Sequence, residues 1–198
     1  MKIYLIRHGK TYANERGLYC GSTDSFVSPL GFYELETRKN AGLYSTAEKY
    51  FVSPLLRTHQ TAKKIFGNVD VIVVPEFAEF DFGLLEMKSH DELLKMEEYR
   101  EWIDPGNIGA TCPGGENNNG FNKRVMNKFE VVKDEAAFSG YDIVILCHGG
   151  VIATIMDTCF LEPDIHFYKW LPKGGEGYAL SCDSSGKIVE YSNISLDK

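Results

Sequence analysis

The sequence predicts an α/β protein with three layers, in which helices cover both faces of a mostly parallel central sheet. The first observation is that short apolar runs alternate with amphipathic segments through most of the chain. The second is that two of these runs are followed by a histidine and a glycine: 3–6 leads to Arg7-His8-Gly9, and 143–147 leads to His148-Gly149. Apolar runs without alternation are typical of strands buried on both faces. We expect a single domain over 1–198, with 88–120 forming an insertion or lid.

The first half of the chain predicts three strands and two helices. Residues 2–7 form an apolar run that predicts the first strand. Ser28-Pro29 is a helix-capping residue followed by proline at the first helical position, and it predicts a helix through about Tyr44. The other predicted elements of this half are a strand over 49–52, a helix over 55–66 after a second cap signal at Ser53-Pro54, and a strand over 70–74.

The second half begins with the least regular part of the chain, residues 76–120. Residues 90–102 have helical composition, whereas 104–120 are rich in glycine, proline and asparagine and predict a loop. The remaining predicted elements are a helix from 116 or 117 to 137, the strongest strand over 141–147, a helix over 151–160, and a closing pair of strands over 178–182 and 188–191. The aromatic residues at 167–170 fit either a lid or a contact between subunits.

Composition excludes several classes of function. The net charge is −7 and no basic stripe is visible, so no nucleic-acid partner is expected. No apolar run approaches the roughly 18 residues of a membrane span, and the N-terminus has no signal-peptide anatomy. The five cysteines are an odd number without a Cys-x-x-Cys pair, which favours reduced thiols over disulfides or a zinc site. We therefore expect a cytoplasmic protein with no membrane partner.

Chemically active residues follow four predicted strands at the points where those strands end. Because ligands of open α/β sheets bind beyond the carboxyl ends of the strands, these residues are expected to converge. They are Arg7 and His8, Ser53 and Arg57, Glu79, and His148. Each alone is more often structural than catalytic, and only their joint placement favours a site. Arginine forks match phosphate oxygens, a neutral imidazole is a nucleophile toward phosphorus, and a carboxyl group serves as acid and base, so the combination suits phosphoryl transfer.

Six motifs in order give the chain a resemblance to the histidine phosphatase superfamily, the phosphoglycerate mutase-like proteins. They are Arg-His-Gly-Lys-Thr-Tyr-Ala-Asn at 7–14, the segment 22–31, Ser-Pro-Leu-Leu-Arg-Thr-His-Gln-Thr-Ala at 53–62, Glu-Phe-Asp-Phe-Gly-Leu-Leu-Glu at 79–86, Pro-Gly-Gly-Glu at 113–116, and His-Gly-Gly at 148–150. The resemblance covers nearly the whole chain. It implies a phosphoglycerate mutase-like fold and an enzyme that needs no metal or other cofactor.

The resemblance also implies roles for individual residues. His8 would be phosphorylated, and Arg7, Arg57 and His148 would clamp the phosphoryl group. Glu79 would protonate the leaving oxygen and then activate water. The residues expected to bind phosphate or substrate are Asn14, Thr11, Gly9, Thr23 and Gly149. Gly9 is also expected to let the backbone approach the His8 ring.

The favoured function is hydrolysis of a small phosphate ester through a phosphohistidine on His8, with α-ribazole 5'-phosphate or a sugar phosphate as candidate substrates. A cofactor-dependent mutase is the alternative, but such mutases carry extra basic residues in the middle insertion. Here 76–120 contains three, Lys88, Lys95 and Arg100. A non-catalytic, regulatory phosphate-binding protein also stays open, as does a homodimer.

Overall fold

The computed structural model describes residues 1–104, 106–107, 109–160 and 167–196. The strands are β1 (Lys2–Arg7), β2 (Lys49–Val52), β3 (Val71–Val73), β4 (Ile143–Cys147), β5 (Gly177–Cys182) and β6 (Ile188–Ile194). The helices are α1 (Tyr12–Glu15), α2 (Pro29–Asn40), α3 (Leu56–Phe66), α4 (His90–Leu93), α5 (Glu97–Trp102), α6 (Asn118–Ser139) and α7 (Gly149–Cys159). None of the helices in these ranges is long and apolar enough to cross a membrane.

The strands form one six-stranded sheet in the order β3-β2-β4-β1-β5-β6. The pairs β2–β3, β2–β4 and β1–β4 are parallel, whereas β5 is antiparallel to both of its neighbours, β1 and β6. The predicted mostly parallel sheet is therefore confirmed, and so is the closing pair of strands.

Successive residues of the central strands pack into two separate cores. Ile3 and Leu5 of β1 belong to the core under α6 and α7, and Tyr4 and Ile6 belong to the core under α2 and α3. Side chains alternate between the two faces of a strand, so a strand that is apolar at every position is buried on both faces. Helices thus cover both faces of the sheet, as the sequence predicted.

The register of the parallel strands sets the position of the residues that follow them. Arg7 pairs with Cys147 across β1 and β4, and Val52 pairs with Leu146 across β2 and β4. Each of these residues lies at or next to the last position of its strand. The residues that come next, His8, Ser53 and His148, are consequently neighbours at one edge of the sheet.

Helix α2 ends at Asn40, four residues before the predicted end near Tyr44. Gly42 has a φ of 73°, and the amide of Leu43 donates back to the carbonyl of Arg38 at 3.1 Å. A glycine in the left-handed region closes a helix because the backbone turns away from its axis there.

The predicted helical segment 90–102 is two short helices, α4 and α5. Ser89 begins α4 with a capping box, in which its side chain accepts from the Glu92 amide and the Glu92 side chain accepts from the Ser89 amide. Met96 has an extended backbone and begins α5. The composition of the segment was correctly interpreted as helical, but two separate starts divide it.

Ser53 does not cap α3, in contrast to the prediction from Ser53-Pro54. The helix begins at Leu56, and Leu55 precedes it without a side-chain cap. The carboxylate of Asp24 accepts from the Leu56 amide instead, at 2.9 and 3.1 Å. A residue distant in sequence supplies the cap, and this releases the Ser53 side chain for another partner.

Candidate active site

His8 follows β1 and is held at its backbone and at its ring. Its amide donates to the carbonyl of Cys147 at 3.0 Å, and its ring Nδ1 lies 2.8 Å from the carbonyl of Gly9. A carbonyl oxygen only accepts hydrogen bonds, so Nδ1 carries the proton and Nε2 keeps a free lone pair in the neutral ring. The geometry thus leaves Nε2 as the nucleophilic atom.

Gly9 contributes to this arrangement without lining the cavity. A Cβ atom at this position would lie 2.6 Å from Leu35 Cδ1, so any larger residue would push the backbone away from α2. The Gly9 amide donates to Thr61 Oγ1 at 2.9 Å, and the same hydroxyl donates to the carbonyl of Arg57 at 2.7 Å. The predicted close approach of backbone to the His8 ring is made by the Gly9 carbonyl.

His148 lies beside His8, with 5.1 Å between the ring centroids and 62° between the planes. Its Nδ1 accepts from Arg57 Nε at 3.3 Å, and its Nε2 lies 2.6 Å from Ser53 Oγ. Because Nδ1 is an acceptor, the neutral ring carries its proton on Nε2 and donates it to Ser53. Arg57 therefore sets the tautomer of His148, and Ser53, predicted as a helix cap, accepts the Nε2 proton.

Both imidazoles are almost completely buried between two arginines. Burial, Arg57 and Arg7 hold the pKa of His8 well below its usual range. Burial, Arg57 and His8 lower the pKa of His148 in the same way. A group that loses hydration beside cations favours its neutral form, so both rings are uncharged at neutral pH.

Arg57, in the first turn of α3, is 1 % exposed and anchored at both ends of its guanidinium. Nη2 donates to the carbonyl of Gly21 at 2.7 Å and Nη1 to the carbonyl of Thr23 at 2.9 Å. With the bond to His148, three of its five N–H donors have partners in the described part of the chain. The two remaining donors are available to an anion.

Arg7 ends β1 and is also a buried cation. Nη1 donates to the carbonyl of Pro172 at 2.7 Å, and Nε is buried without a hydrogen-bond partner among the described residues. Burial lowers the pKa of Arg7, and the Glu79 charge opposes that shift. No carboxylate of the described residues lies within 4.0 Å of Arg7 or Arg57. Two buried cations without a paired carboxylate are costly unless an anion joins them.

Glu79 reaches the same edge of the sheet from the segment after β3. Its Oε2 accepts from the amide of Gly150 at 3.0 Å, and its Oε1 accepts from the amide of Phe80 at 3.0 Å. A Cβ atom at Gly150 would lie 2.4 Å from Glu79 Oε1, so glycine is needed for this approach. The structure thus brings together the five residues expected to carry the chemistry: Arg7, His8, Arg57, Glu79 and His148.

The residues expected to bind phosphate or substrate divide into two groups. Asn14 and Gly149 line the cavity. Thr11 is buried, and its hydroxyl caps α1 in a capping box with Asn14. Thr23 acts through its backbone, because its carbonyl accepts from Arg57. Thr11 and Thr23 therefore support other site residues.

Glu86 has a role that the sequence did not single out. Its carboxylate accepts from the amides of Gly21 at 3.0 and 3.1 Å, of Ser22 at 2.9 Å and of Thr23 at 3.3 Å. Two of them, Gly21 and Thr23, are the residues whose carbonyls hold Arg57. The signal was present, since Glu86 is the last residue of the motif at 79–86.

A cavity of about 850 Å³ is lined by Arg7 and Glu79 of the five reactive residues, whereas His8, Arg57 and His148 are not part of its lining. Its floor includes Arg7, Glu79 and Gly149. Its lining includes seven aromatic residues, Tyr19, Phe80, Phe82, Trp102, Phe121, Phe167 and Tyr168, and four asparagines, Asn14, Asn107, Asn118 and Asn122. The charged residues among the described lining are Arg7, Glu79 and Asp104. The cavity is far larger than a phosphate group, and its size is typical of sites for drug-sized ligands.

The aromatic residues at 167–170 fulfil two structural roles. Phe167 and Tyr168 line the cavity, and Tyr168 is 79 % exposed at its mouth. Trp170 is 3 % exposed and packs into the core against Phe160 and Tyr178.

Among the described residues, no group of three or more His, Cys, Asp or Glu side chains is placed to hold a metal ion.

The comparisons with known proteins identify the family. Residues 3–194 match the family model that describes the histidine phosphatase superfamily (branch 1). An adenosylcobalamin/alpha-ribazole phosphatase of Salmonella typhimurium is 28 % identical over 82 % of this chain and 81 % of its own length. The similarity to a relative with this name supports the interpretation of this chain as a phosphatase of the superfamily.

Two solved structures show the same fold. The alpha-ribazole phosphatase from Shigella flexneri has the same fold, with a TM-score of 0.78 and 24 % identity over 93 % of this chain and 92 % of that chain. A phosphoglycerate mutase from Thermus thermophilus has a TM-score of 0.71 and 25 % identity over 100 % of both chains. The fold, the order of the motifs and the family match together show that this chain belongs to the histidine phosphatase superfamily, branch 1.

Proposed function

We propose that the protein is a phosphomonoesterase in which His8 accepts the phosphoryl group and water then hydrolyses the phosphohistidine. One observation supports this most directly: two buried arginines, without a paired carboxylate among the described residues, lie beside a neutral imidazole whose Nε2 is free. A phosphate dianion complements that charge, and it would sit where Nε2 of His8 can attack it.

In the first step, His8 Nε2 forms a bond to phosphorus while the bond from phosphorus to the ester oxygen breaks. Glu79, protonated at this stage, gives its proton to the departing oxygen. Arg7 and Arg57 stabilise the charge that spreads over the phosphoryl oxygens, whereas His148, whose N–H is donated to Ser53, acts by holding Arg57. The free N–H donors of Arg57 and the unpartnered Nε of Arg7 would make these contacts.

In the second step, Glu79 is ionised and accepts a proton from water. The water oxygen bonds to phosphorus, and the bond between phosphorus and His8 Nε2 breaks. Inorganic phosphate leaves, His8 returns to its neutral form, and Glu79 is protonated for the next cycle. The Gly9 carbonyl keeps the proton on Nδ1 throughout, so that Nε2 is the reacting atom of His8 in both steps.

The cavity walls favour hydrolysis over a mutase reaction. The described lining holds one basic residue, Arg7, so a carboxylated substrate would find no second cation there. In the middle segment, the half-buried Lys88 and the exposed Arg100 donate to the carbonyls of Leu84 and Leu94 instead. Aromatic walls favour an ester with a large uncharged alcohol part. α-Ribazole 5'-phosphate fits that description better than a simple sugar phosphate.

The test is release of phosphate from an aryl phosphate in the presence of EDTA, followed by trapping of the radiolabelled enzyme from a labelled substrate. We expect turnover and a label that is stable in base and labile in acid, as a phosphohistidine is. His8→Ala should abolish both, while His59→Ala on the outer part of α3 should abolish neither.

Two outcomes would replace this function by an alternative. Turnover only in the presence of a bisphosphate primer would identify a mutase. Binding of phosphate without turnover of any phosphomonoester would identify a regulatory protein that uses the same pocket. A panel of phosphorylated metabolites, ranked by kcat/KM, would then define the substrate, with α-ribazole 5'-phosphate and sugar phosphates included.

A further inference from the structure

Arg124 on α6 makes one hydrogen bond with each of its five N–H donors. Nε and Nη2 bind the carboxylate of Glu116 at 2.7 and 2.9 Å. Nη1 donates to the carbonyls of Glu76 at 2.6 Å and Ala78 at 2.8 Å, and Nη2 donates to the carbonyl of Glu79 at 3.1 Å. A guanidinium whose donors are all used is fixed in position, and it fixes its acceptors.

The carbonyls that Arg124 binds belong to a segment without regular strand structure. The chain passes from a 3-10 turn at Pro75–Phe77 to another at Gly83–Leu85, and Glu79 lies between them. Backbone carbonyls at such a place need partners from elsewhere. Arg124 supplies them at three positions, the last of which is the carbonyl of Glu79 itself.

The Pro-Gly-Gly-Glu loop holds the same segment from the other side. The Glu116 amide donates to the carbonyl of Asp81 at 2.9 Å. A Cβ atom at Gly115 would lie 2.3 Å from that carbonyl, and one at Gly83 would lie 2.3 Å from the Gly114 carbonyl carbon. Glycines at both places let two backbones pack directly together. The motif at 113–116 is thereby explained as a support for residues 79–83.

We propose that Arg124 and Glu116 form a positioning pair for Glu79, which rests on the proposed function of Glu79 as acid and base. Arg124 holds the backbone so that the Glu79 carboxyl stays against the Gly150 amide. Glu116 cancels the charge of Arg124, which would otherwise favour the ionised form of the nearby Glu79. Neither residue touches the reacting atoms; both act through Glu79.

Charge from Arg124 does reach the site, because it contributes to the lowered pKa of His148. Apart from the pair, groups that interact with the charge of Glu79 include Arg7 on β1, Arg57 on α3, Cys147 on β4 and Cys20 in the loop after α1. All of them are retained in the variants described next. Differences between those variants therefore report on the Arg124–Glu116 pair.

The test compares the pH dependence of kcat/KM in four variants. The general acid must be protonated, so activity with an alkyl phosphate falls as pH rises along the basic limb of the profile. Glu116→Gln leaves the positive charge of Arg124 without its paired carboxylate, and this charge favours the ionised form of Glu79. The basic limb should therefore move to lower pH by roughly half a unit or more. Arg124→Gln leaves Glu116 uncompensated and should move it to higher pH. The double variant should return the limb to near its wild-type position.

Arg124→Lys separates geometry from charge. Lysine keeps the charge but loses the fork, so the limb should not move while kcat for an alkyl phosphate falls by about 10-fold or more. Nitrophenyl phosphate, which hardly needs a proton donor, should lose far less, and KM should change little for either. Glu135→Gln is the matched control, since it removes a carboxylate from the far end of α6 that pairs with Lys49 at 2.7 Å.

A purely structural role predicts equal losses for both esters and an unmoved limb in every variant, and this result would overturn the proposal. Should Arg124→Gln fail to fold, the milder pair Glu116→Gln and Arg124→Lys decides on the same criteria. In a Glu79→Gln background, Glu116→Gln should no longer alter the dependence on the leaving group. A wild-type enzyme that turns over but whose variants do not follow this pattern would reject the pair and leave the proposed function intact.

Discussion

The floor and the walls of the cavity are built by different means. Glu79 lies on the floor, and Arg57 and His148 are buried and do not line the cavity; Arg57 has three hydrogen-bond partners, and His148 and Glu79 each have two. The walls consist of aromatic rings from loops and short helices, such as Trp102 at the end of α5 and Tyr168. Directional bonds hold the floor in one arrangement, whereas the walls depend on non-directional packing. The reactive groups are therefore fixed mainly by hydrogen bonds and the walls mainly by ring packing, to which Tyr19 adds a hydrogen bond with Tyr99 at 2.7 Å.

Glu79→Gln should have the largest effect, because it removes the proton donor from the floor. We expect kcat for an alkyl phosphate to fall by about 1,000-fold, since its leaving oxygen needs a proton. Nitrophenyl phosphate should lose less than about 10-fold. Both are measured by steady-state phosphate release. Equal losses for the two esters would remove Glu79 from the acid role.

Arg57→Lys should have the next largest effect, a loss of roughly 100-fold in kcat/KM. Lysine retains the charge, but it cannot bind Gly21, Thr23 and His148 and still offer two donors to phosphate. The matched control is Arg100→Lys on exposed α5, which should stay within about 2-fold of wild type. A variant at position 57 with nearly normal kinetics would show that this arginine is structural.

Trp102→Ala tests the walls and should have a smaller, selective effect. Loss of one aromatic contact should lower kcat/KM for a bulky aromatic ester by roughly 10-fold. A small ester such as glycerol phosphate should change by less than about 3-fold, because the floor is intact. Phe138→Ala, at a residue that is 96 % exposed on α6, serves as the control. A similar loss with both esters would contradict the separation of floor from walls.

The pH dependence of stability should show the smallest effect. The pKa of His8 and of His148 is lower in the folded protein than the usual value near 6.5, so the unfolded chain binds more protons below that pH. The free energy of unfolding should therefore fall as pH decreases below about 6.5, by up to roughly 1.4 kcal/mol per unit for each group.

Denaturant unfolding at pH 7.5 and pH 5.5 measures this loss. His148→Asn removes one of the two groups and should give a shallower dependence than wild type, whereas His59→Asn should not. Identical slopes in wild type and His148→Asn would mean that this imidazole is not neutral in the folded protein.

The hydrophobic pattern along the chain was sufficient to predict the sheet and most of the residues that meet at its edge. A strand apolar at every position must be buried on both faces, and parallel strands present their carboxyl ends at one edge. These two rules predict from the sequence that His8, Arg57 and His148 lie together. The division of 90–102 into two helices and the early end of α2 were missed, because they depend on single caps and on one glycine at positive φ.

The supporting contacts of the site were the part that sequence reasoning could not supply. Ser53 carried a helix-cap pattern, but Asp24 caps α3, so Ser53 binds His148 instead. Glu86 holds the loop that holds Arg57, across more than 60 residues of chain. Such partners are chosen by distance in the fold and leave no periodic trace.

The sequence by itself determined the layered α/β architecture, the family, and the edge of the sheet where the reactive groups meet. These properties follow from periodicity and strand direction, which are local. The tertiary structure alone decided which nitrogen of each imidazole carries the proton, where the aromatic walls close, and how Arg124 and Glu116 brace Glu79. Those features depend on hydrogen bonds between residues distant in sequence, and only the packed chain brings their donors and acceptors within 3 Å or so of each other.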